Sequence, residues 1–429
     1  MPRPYRAAET LLLAALLVCG AACGSRLPES DFTSRPPAPT TGGGEPIRVG
    51  IITGATSPVG GEALTGPRDG ALAYFAALNA RGGVDGRRVE VTTCDDGGSG
   101  VGNDACVRDL VDGERVLALV ATTALDYAGA ARVSRAGVPD IGGQPLGPAY
   151  DTYPHLYGIY GSSAPRTGAA PGWDGVLTGG TEVYRWFRRE LGARTAAVVA
   201  YNQAASASYA RLVTEGLRAE GYRVVTEQVD FALPNYRAVA ADLREQDVDV
   251  VFDALDAHGN ARLCAAMDAV GVTVTAKVTN VQNWNQDVPR DYKDAPRCRN
   301  ALWATGSSRN HDDATHPAVR EFRDAMKGRP LSQWALEGWA AAMWFTDAAR
   351  SCTKAGLTRA CLERFVNRPE PYTARGLLLP VRFERLPEPP KTRHTCLSVA
   401  RWQDGRGWVT RGGDMDDNCA TVPQLPYRP

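Results

Sequence analysis

Short apolar runs alternate, along most of the chain, with longer segments whose apolar residues recur every third or fourth position. The first pattern is that of a buried strand, the second that of a helix with one apolar face. "IRVGIIT" (47–53) reads as a strand. Pro67 then opens a helix, "PRDGALAYFAALNARGG", with Leu72, Phe75, Ala76 and Asn79 along one face. Gly82-Gly83 stops it, because glycine accepts the left-handed conformation at a helix end. "VDGRR" turns into the strand "VEVTTC", completing a strand–helix–strand unit. "ERVLALVA" and "GVPDIGG" repeat the pattern around "LDYAGAARVSRA".

Beyond residue 175 a second series begins. "TEVYRWFRRELG" aligns Val183, Trp186, Phe187 and Leu191, and "YARLVTEGLRAEG" aligns Tyr209, Leu212, Val213 and Leu217. The strands "TAAVVAY", "YRVVTEQV", "VDVVFDA" and "TAKVTN" alternate with these and with the helices "YRAVAADLREQD" and "NARLCAAMDAVG". Such alternation implies parallel sheets covered on both faces. Two series predict an α/β fold of two doubly wound parallel-sheet lobes. The tail differs: "LSQWALEGWAAAMWFTDAARSC" is a long apolar helix, while "LLLPVRFERL" and "CLSVARWQDGRGWV" read as antiparallel strands, the latter turning at Asp404-Gly405.

The N-terminus carries a different signal. Arg3 and Arg6 precede an uncharged run from Thr10 to Ala22. That run is shorter than the about 20 residues a spanning helix needs. A basic start, a short apolar middle and small residues before a cleavage point make a secretory signal, residues 1–22. Gly20-Ala21-Ala22 directly precede Cys23 and resemble a bacterial lipobox, which implies lipidation of Cys23 and attachment to a membrane surface. Gly20 stands where lipoboxes usually have a larger apolar residue. Residues 23–46, rich in Pro, Gly, Ser and Thr, read as a flexible tether.

Lys+Arg and Asp+Glu both number 48, so no charge imbalance points to nucleic acid. Apart from Cys19 and Cys23, the ten cysteines fall into four sequential couples: Cys94 with Cys106, Cys264 with Cys298, Cys352 with Cys361, and Cys396 with Cys419. In an exported chain these predict disulfides. Metal binding is the competing reading, but no CxxC spacing and no histidine at zinc-finger distance accompanies them.

The stretch "VGIITGATSPVGGEALTGPRDGALAYFAALNARGGVDGRRVEVTTCDD" resembles the opening of the branched-chain amino-acid (leucine/isoleucine/valine) binding proteins, the extracytoplasmic components of ABC importers. The resemblance lies in Gly60 or Gly61, Gly70, the pattern N-x-x-G-G-x-x-G from Asn79 to Gly86, and Asp95-Asp96; the order of elements extends it over roughly 47–410. It implies a type I periplasmic-binding-protein fold, with three segments crossing between lobes near Tyr160, Gly306 and Arg375. The first lobe is then 47–160 plus 307–374 and the second 161–306 plus 375–429. Ligand lies beyond the carboxyl ends of strands in such sheets. The loops there hold Ser57, Thr122, Thr123 and Gln144 in the first lobe and Tyr201, Asn202, Asp256 and Trp284 in the second. Hydroxyls and N–H groups suit a carboxylate, Asp256 an ammonium, and Trp284 an apolar body.

The chain departs from the family's amino-acid binders. Only Thr123 could serve where a Ser and a Thr usually meet the α-carboxylate, and Asp256 lies three residues before the usual acid. These departures point away from an ordinary branched-chain amino acid. No P-loop, GxSxG elbow or HExxH helix occurs, and "HDDATH" spaces its histidines in a polar loop. The reading is a lipid-anchored, exported solute-binding protein without cofactor or metal. Its partners are a small polar solute (an amino acid, amide or related compound) and an ABC permease. An orphan ligand sensor is the alternative. A hydrolase comes third.

Overall fold

The computed structural model describes residues 44–429 apart from Val59, Asn280 and residues 353–355. The expected signal, Cys23 and the expected tether to residue 43 lie outside the described residues. The "IRVGIIT" run forms β1 (Ile47–Thr53), followed by β2 (Val89–Asp95), β3 (Ala118–Val120), β4 (Asp140–Gly143) and β5 (Leu156–Gly158). These make a parallel sheet of order β2-β1-β3-β4-β5. The helices among them are α1 (Gly61–Leu64), α2 (Gly66–Ala80), α3 (Gly100–Val107) and α4 (Ala130–Arg135).

The second series adds β6 (Leu177–Gly180), β7 (Thr195–Tyr201), β8 (Arg223–Val229), β9 (Val250–Ala254), β10 (Ala276–Thr279) and β11 (Leu302–Gly306). Between them run α5 (Glu182–Glu190), α6 (Ala204–Ala219), α7 (Tyr236–Glu245), α8 (Ala257–Val270), α9 (Val288–Asp291) and α10 (Pro296–Arg299). Next come α11 (Pro317–Ala325), α12 (Gln333–Ser351) and α13 (Arg359–Val366), then β12 (Thr392–Cys396), β13 (Ser398–Gln403), β14 (Gly407–Thr410) and β15 (Cys419–Tyr427). The second large sheet has the order β14-β13-β11-β10-β9-β7-β8. Its β7 to β11 strands run parallel, and the hairpin β13–β14 adds antiparallel beside β11. A third sheet, β12-β15-β6, is antiparallel.

The two predicted α/β series are therefore present, each with its own parallel sheet and buried core. Two local expectations shift. The buried face of α2 is Ala71, Tyr74, Phe75 and Leu78 rather than Leu72, Phe75, Ala76 and Asn79. The reason is a close helix contact through glycine. A Cβ on Gly70 would lie 1.8 Å from the carbonyl oxygen of Ala335, and one on Gly338 would lie 1.9 Å from that of Pro67. Helix α12 thus lies backbone-to-backbone on α2, and this rotates the α2 face. Tyr209, placed on the apolar face of α6, is 52% exposed.

"LLLPVRFERL" is no sheet strand. It is one of three segments passing between the sheets, and it lies between the other two. Leu378 bridges to Ser308 after β11, and Phe383 bridges to Ser162 after β5. Gly161, at φ +75°, passes so close to Arg382 that a Cβ would sit 2.5 Å from its carbonyl oxygen. The Arg166 guanidinium covers the rings of Phe383 and Tyr157, and Trp344 stacks on Tyr372.

All four expected disulfides are closed: Cys94–Cys106, Cys264–Cys298, Cys352–Cys361 and Cys396–Cys419. Among the described residues, the one group able to hold a metal by geometry is His394, Cys396 and Cys419. Both its cysteines are consumed by the bridge between β12 and β15.

The α2–α12 contact generates a prediction. Gly338→Ala forces two backbones apart, so it should lower unfolding free energy by about 3 kcal/mol, the cost of overpacking a tight interior. Urea denaturation checks this; a change within 0.5 kcal/mol, roughly the scale of neutral surface substitutions, contradicts it.

Candidate functional site

The carboxyl ends of strands in both large sheets open into pockets. In the first sheet a pocket of about 360 Å³ is lined by Leu125, Tyr127, Gln144, Tyr150 and Tyr153, among others. In the second a pocket of about 290 Å³ is lined by residues at the ends of β9, β10 and β11, by α5 and α6, and by Tyr160 and Ser307 of the crossing segments.

A buried carboxylate joins the two. Glu337 of α12 is fully buried. It accepts hydrogen bonds from Gln144 Nε2 (2.8 Å), the Tyr160 hydroxyl (3.0 Å) and the Ser308 hydroxyl (2.6 Å). Gln144 lines the first pocket and Tyr160 the second. Burial holds the Glu337 carboxyl above its usual range, against the pull of these three donors. One turn earlier, Gln333 donates to the Ser308 hydroxyl (2.6 Å) and the Arg309 carbonyl (2.8 Å).

Beneath the first pocket, Asp140 accepts from the hydroxyls of Tyr127 and Tyr150, both at 2.8 Å. Burial pushes its carboxyl up to about 6. Beside the second pocket, the fully buried Lys277 ammonium is paired with Asp253 and donates to Asn260 Oδ1 at 2.6 Å. Asn260 Nδ2 donates to the other Asp253 oxygen at 2.8 Å, so the pair is enclosed by its own partners.

The residues named from sequence divide into groups. Gln144 lines a pocket and belongs to the Glu337 network. Thr122 and Thr123 are fully buried, and the Thr123 hydroxyl donates to the Ala121 carbonyl. Ser57 is largely buried in the turn after β1, its N–H donating to the Gly54 carbonyl. Asn202 is exposed and ties the β7 end to Asp230 (2.9 Å). Tyr201 donates to Asp256 Oδ1 (2.9 Å) and sits beside Tyr236.

Asp256 is the N-cap of α8. Its Oδ1 accepts the Gly259 N–H at 2.7 Å, satisfying a donor that the helix start leaves without a partner. Trp284 is fully buried in the core beneath the β10 loop, near Trp408. Neither lines either pocket. In this structure the acid before the helix caps it, and the loop tryptophan fills the space under its loop.

The sequence reading did not name Tyr184 and Val281, which line the second pocket, or Glu337 and Ser308, which form the network between the pockets. The signal for Glu337 was available: it is the single acid within the apolar "WALEGWAAAMWF". The Asp253–Lys277 pair was also marked, each residue being the charged member of an apolar strand.

Two predictions follow from these placements. Asp256→Ala should lower stability by about 1 kcal/mol through the lost cap, with chemical denaturation as the readout. For Asp140, a folded pKa near 6 above the ordinary 3.8 means that the folded chain binds the proton more tightly. Its contribution favours folding below about 3.8 and is lost as pH rises toward 6, about 3 kcal/mol in all. Asp140→Asn removes this loss. The stability difference, variant minus parent, should therefore rise between pH 4 and pH 6 and level off above; a flat difference contradicts the assignment.

Residues 46–406 match the family described as periplasmic binding protein. No curated protein sequence matches the chain. The branched-chain amino acid transporter substrate binding protein LivJ from Streptococcus pneumoniae, in complex with isoleucine, is similar in structure. Its TM-score is 0.63 at 14% identity, over 89% of this chain and 100% of that one. A solute binding protein of an ABC transporter from R. palustris, in complex with benzoate, gives 0.62 at 13% identity, over 89% and 97%. A fatty acid ABC transporter substrate-binding protein from Thermomonospora curvata gives 0.62 at 15%, over 90% and 93%. With two parallel sheets, three crossing segments and pockets at the strand ends, over a match that spans most of its length, this chain belongs to the periplasmic binding protein family.

Proposed function

We propose that this chain is the solute-binding component of an ABC importer, exported and held on the outer face of the cell membrane by lipid on Cys23. Residues 23–46 act as the tether. The first lobe is 47–160 plus 307–374, the second 161–306 plus 375–429. They take a small polar solute between them, an amino acid, amide or related compound, and hand it to a membrane permease. The observation that carries this reading is the placement of one pocket at the strand ends of each sheet, on either side of the Glu337 network. Open α/β sheets receive ligands there. A ligand stabilises a closed arrangement of two lobes only by contacts to both.

The similar structures carry isoleucine and benzoate, which supports a small organic ligand. We read the chain as a binder rather than a hydrolase. Asp256, the acid nearest His258 in the sequence, is already engaged by the Gly259 N–H and the Tyr201 hydroxyl. A sensor would use the same cleft but signal to another protein.

The test is a thermal-shift screen of amino acids, amides, polyamines and aromatic acids, run beside fractionation of Cys23→Ala. A true ligand raises the melting temperature in proportion to its saturation, and Cys23→Ala should appear soluble or unprocessed. A screen without any hit, or mature Cys23→Ala protein still on the membrane, overturns the corresponding part.

A further inference from the structure

One pair of strands carries chemistry that solute binding does not use. In the third sheet β12 runs antiparallel to β15, with Cys396 opposite Cys419 and His394 opposite Thr421. Alternate residues of a strand share a face, and residues directly opposite one another are neighbours on it. The pairing itself therefore gathers His394, Cys396, Cys419 and Thr421 on one face. The ligand atoms of His394, Cys396 and Cys419 all lie within 4.8 Å of one another. The Thr421 hydroxyl lies 3.4 Å from His394 Nδ1 and helps to fix the ring.

This bridge also differs from the other three in its exposure. Cys106, Cys264, Cys298, Cys352 and Cys361 are buried, so each of the other bridges has at least one cysteine closed to solvent. Neither Cys396 nor Cys419 is buried, and His394 is exposed. Thiol–disulfide exchange requires access to a sulfur, so this is the bridge that a soluble thiol reaches in the folded chain. Once it opens, the two cysteines stay on neighbouring strands, held by the pairing of Thr392–Cys396 with Cys419–Pro423. Two thiolates and an imidazole form a ligand set for zinc, with bonds of about 2.3 Å to sulfur and about 2.0 Å to nitrogen.

We propose that His394, Cys396 and Cys419 form a zinc site that the disulfide masks. Disulfides persist in oxidising compartments, so the masked form is the resting one there. A dithiol reductant opens it. One thiolate of the dithiol attacks a sulfur of the bridge, forming a mixed disulfide and releasing the other cysteine. The second thiol of the dithiol then displaces the remaining cysteine. The dithiol leaves as a disulfide, and its two electrons and two protons pass to Cys396 and Cys419. Zn²⁺ then binds both sulfurs as thiolates and His394 through a ring nitrogen, with water in the open position, and the two thiol protons are released.

The test uses the full chain carrying Cys19→Ser and Cys23→Ser, which leaves no cysteine outside the four bridges. Limited treatment with dithiothreitol, then alkylation and peptide mapping, should label Cys396 and Cys419 before any cysteine of the other bridges. After the dithiol is removed without air, the opened protein should keep its circular dichroism and bind one Zn²⁺ per chain by calorimetric titration. Co²⁺ in its place should give the visible bands of a tetrahedral thiolate site. The closed protein should show neither. His394→Ala should leave the bridge formed and weaken Zn²⁺ binding by the opened protein tenfold or more; His394→Gln serves where the alanine variant does not fold. Cys396→Ser combined with Cys419→Ser should bind no Zn²⁺.

Earlier opening of another bridge, loss of fold on opening, or no Zn²⁺ uptake by the opened protein overturns the proposal. So does uptake by the closed protein or by the double serine variant. Uptake that substitution of His394 leaves unchanged overturns it too, because a bare pair of thiols then explains the binding.

Discussion

A buried carboxylate with no cationic partner among the described residues ties three separate stretches of this molecule together. Glu337 is fully buried on α12, a helix packed against α2 and the first sheet. Such a group is tolerated only if its oxygens are fully hydrogen-bonded. The donors come from three separate stretches: Gln144 after β4, Tyr160 in the first crossing and Ser308 in the second. Each must be in position at once, so the acid specifies how these stretches are arranged. Gln333 extends the same bonding to the start of α12, and its N–H reaches the Trp284 carbonyl at 2.8 Å. A loop of the second sheet is thereby attached to a helix that belongs to the first.

That attachment explains why the pockets lie where they do. The crossing segments bring Tyr160 and Ser307 against the strand ends of the second sheet, while Gln144 faces the first pocket. The polar groups of this region are largely committed to one another. Asp140 is held by two tyrosine hydroxyls, Asp253 by Lys277 and Asn260, and Asp256 by Gly259 and Tyr201. What remains for a ligand in the second sheet is aromatic and aliphatic surface with a few hydroxyls.

The alternation of strands and helices was legible because each buried parallel strand must be apolar throughout and each covering helix apolar on one side. The cysteine couples were legible because each pair lies close in sequence. The cleft was not. Local patterning places Asp256 and Trp284 at strand ends correctly but says nothing about which way a side chain turns. A helix start captured the acid, and the core took the indole. The α2 face was misjudged for a similar reason. Glycines at 70 and 338 let two backbones touch, a tertiary contact that outranks side-chain periodicity. "LLLPVRFERL" was apolar because it lies between two other crossing segments, with no sheet of its own.

The disulfides have a consequence for how such a chain matures. The bridges join Cys94 to Cys106, Cys264 to Cys298, Cys352 to Cys361, and Cys396 to Cys419. Every cysteine after residue 23 is thus bonded to its immediate neighbour in the order of cysteines. A chain threading into an oxidising compartment from its N-terminus presents each thiol next to the one that it keeps. Oxidation can keep pace with emergence, and no bond formed early has to be broken to release a partner for a later one.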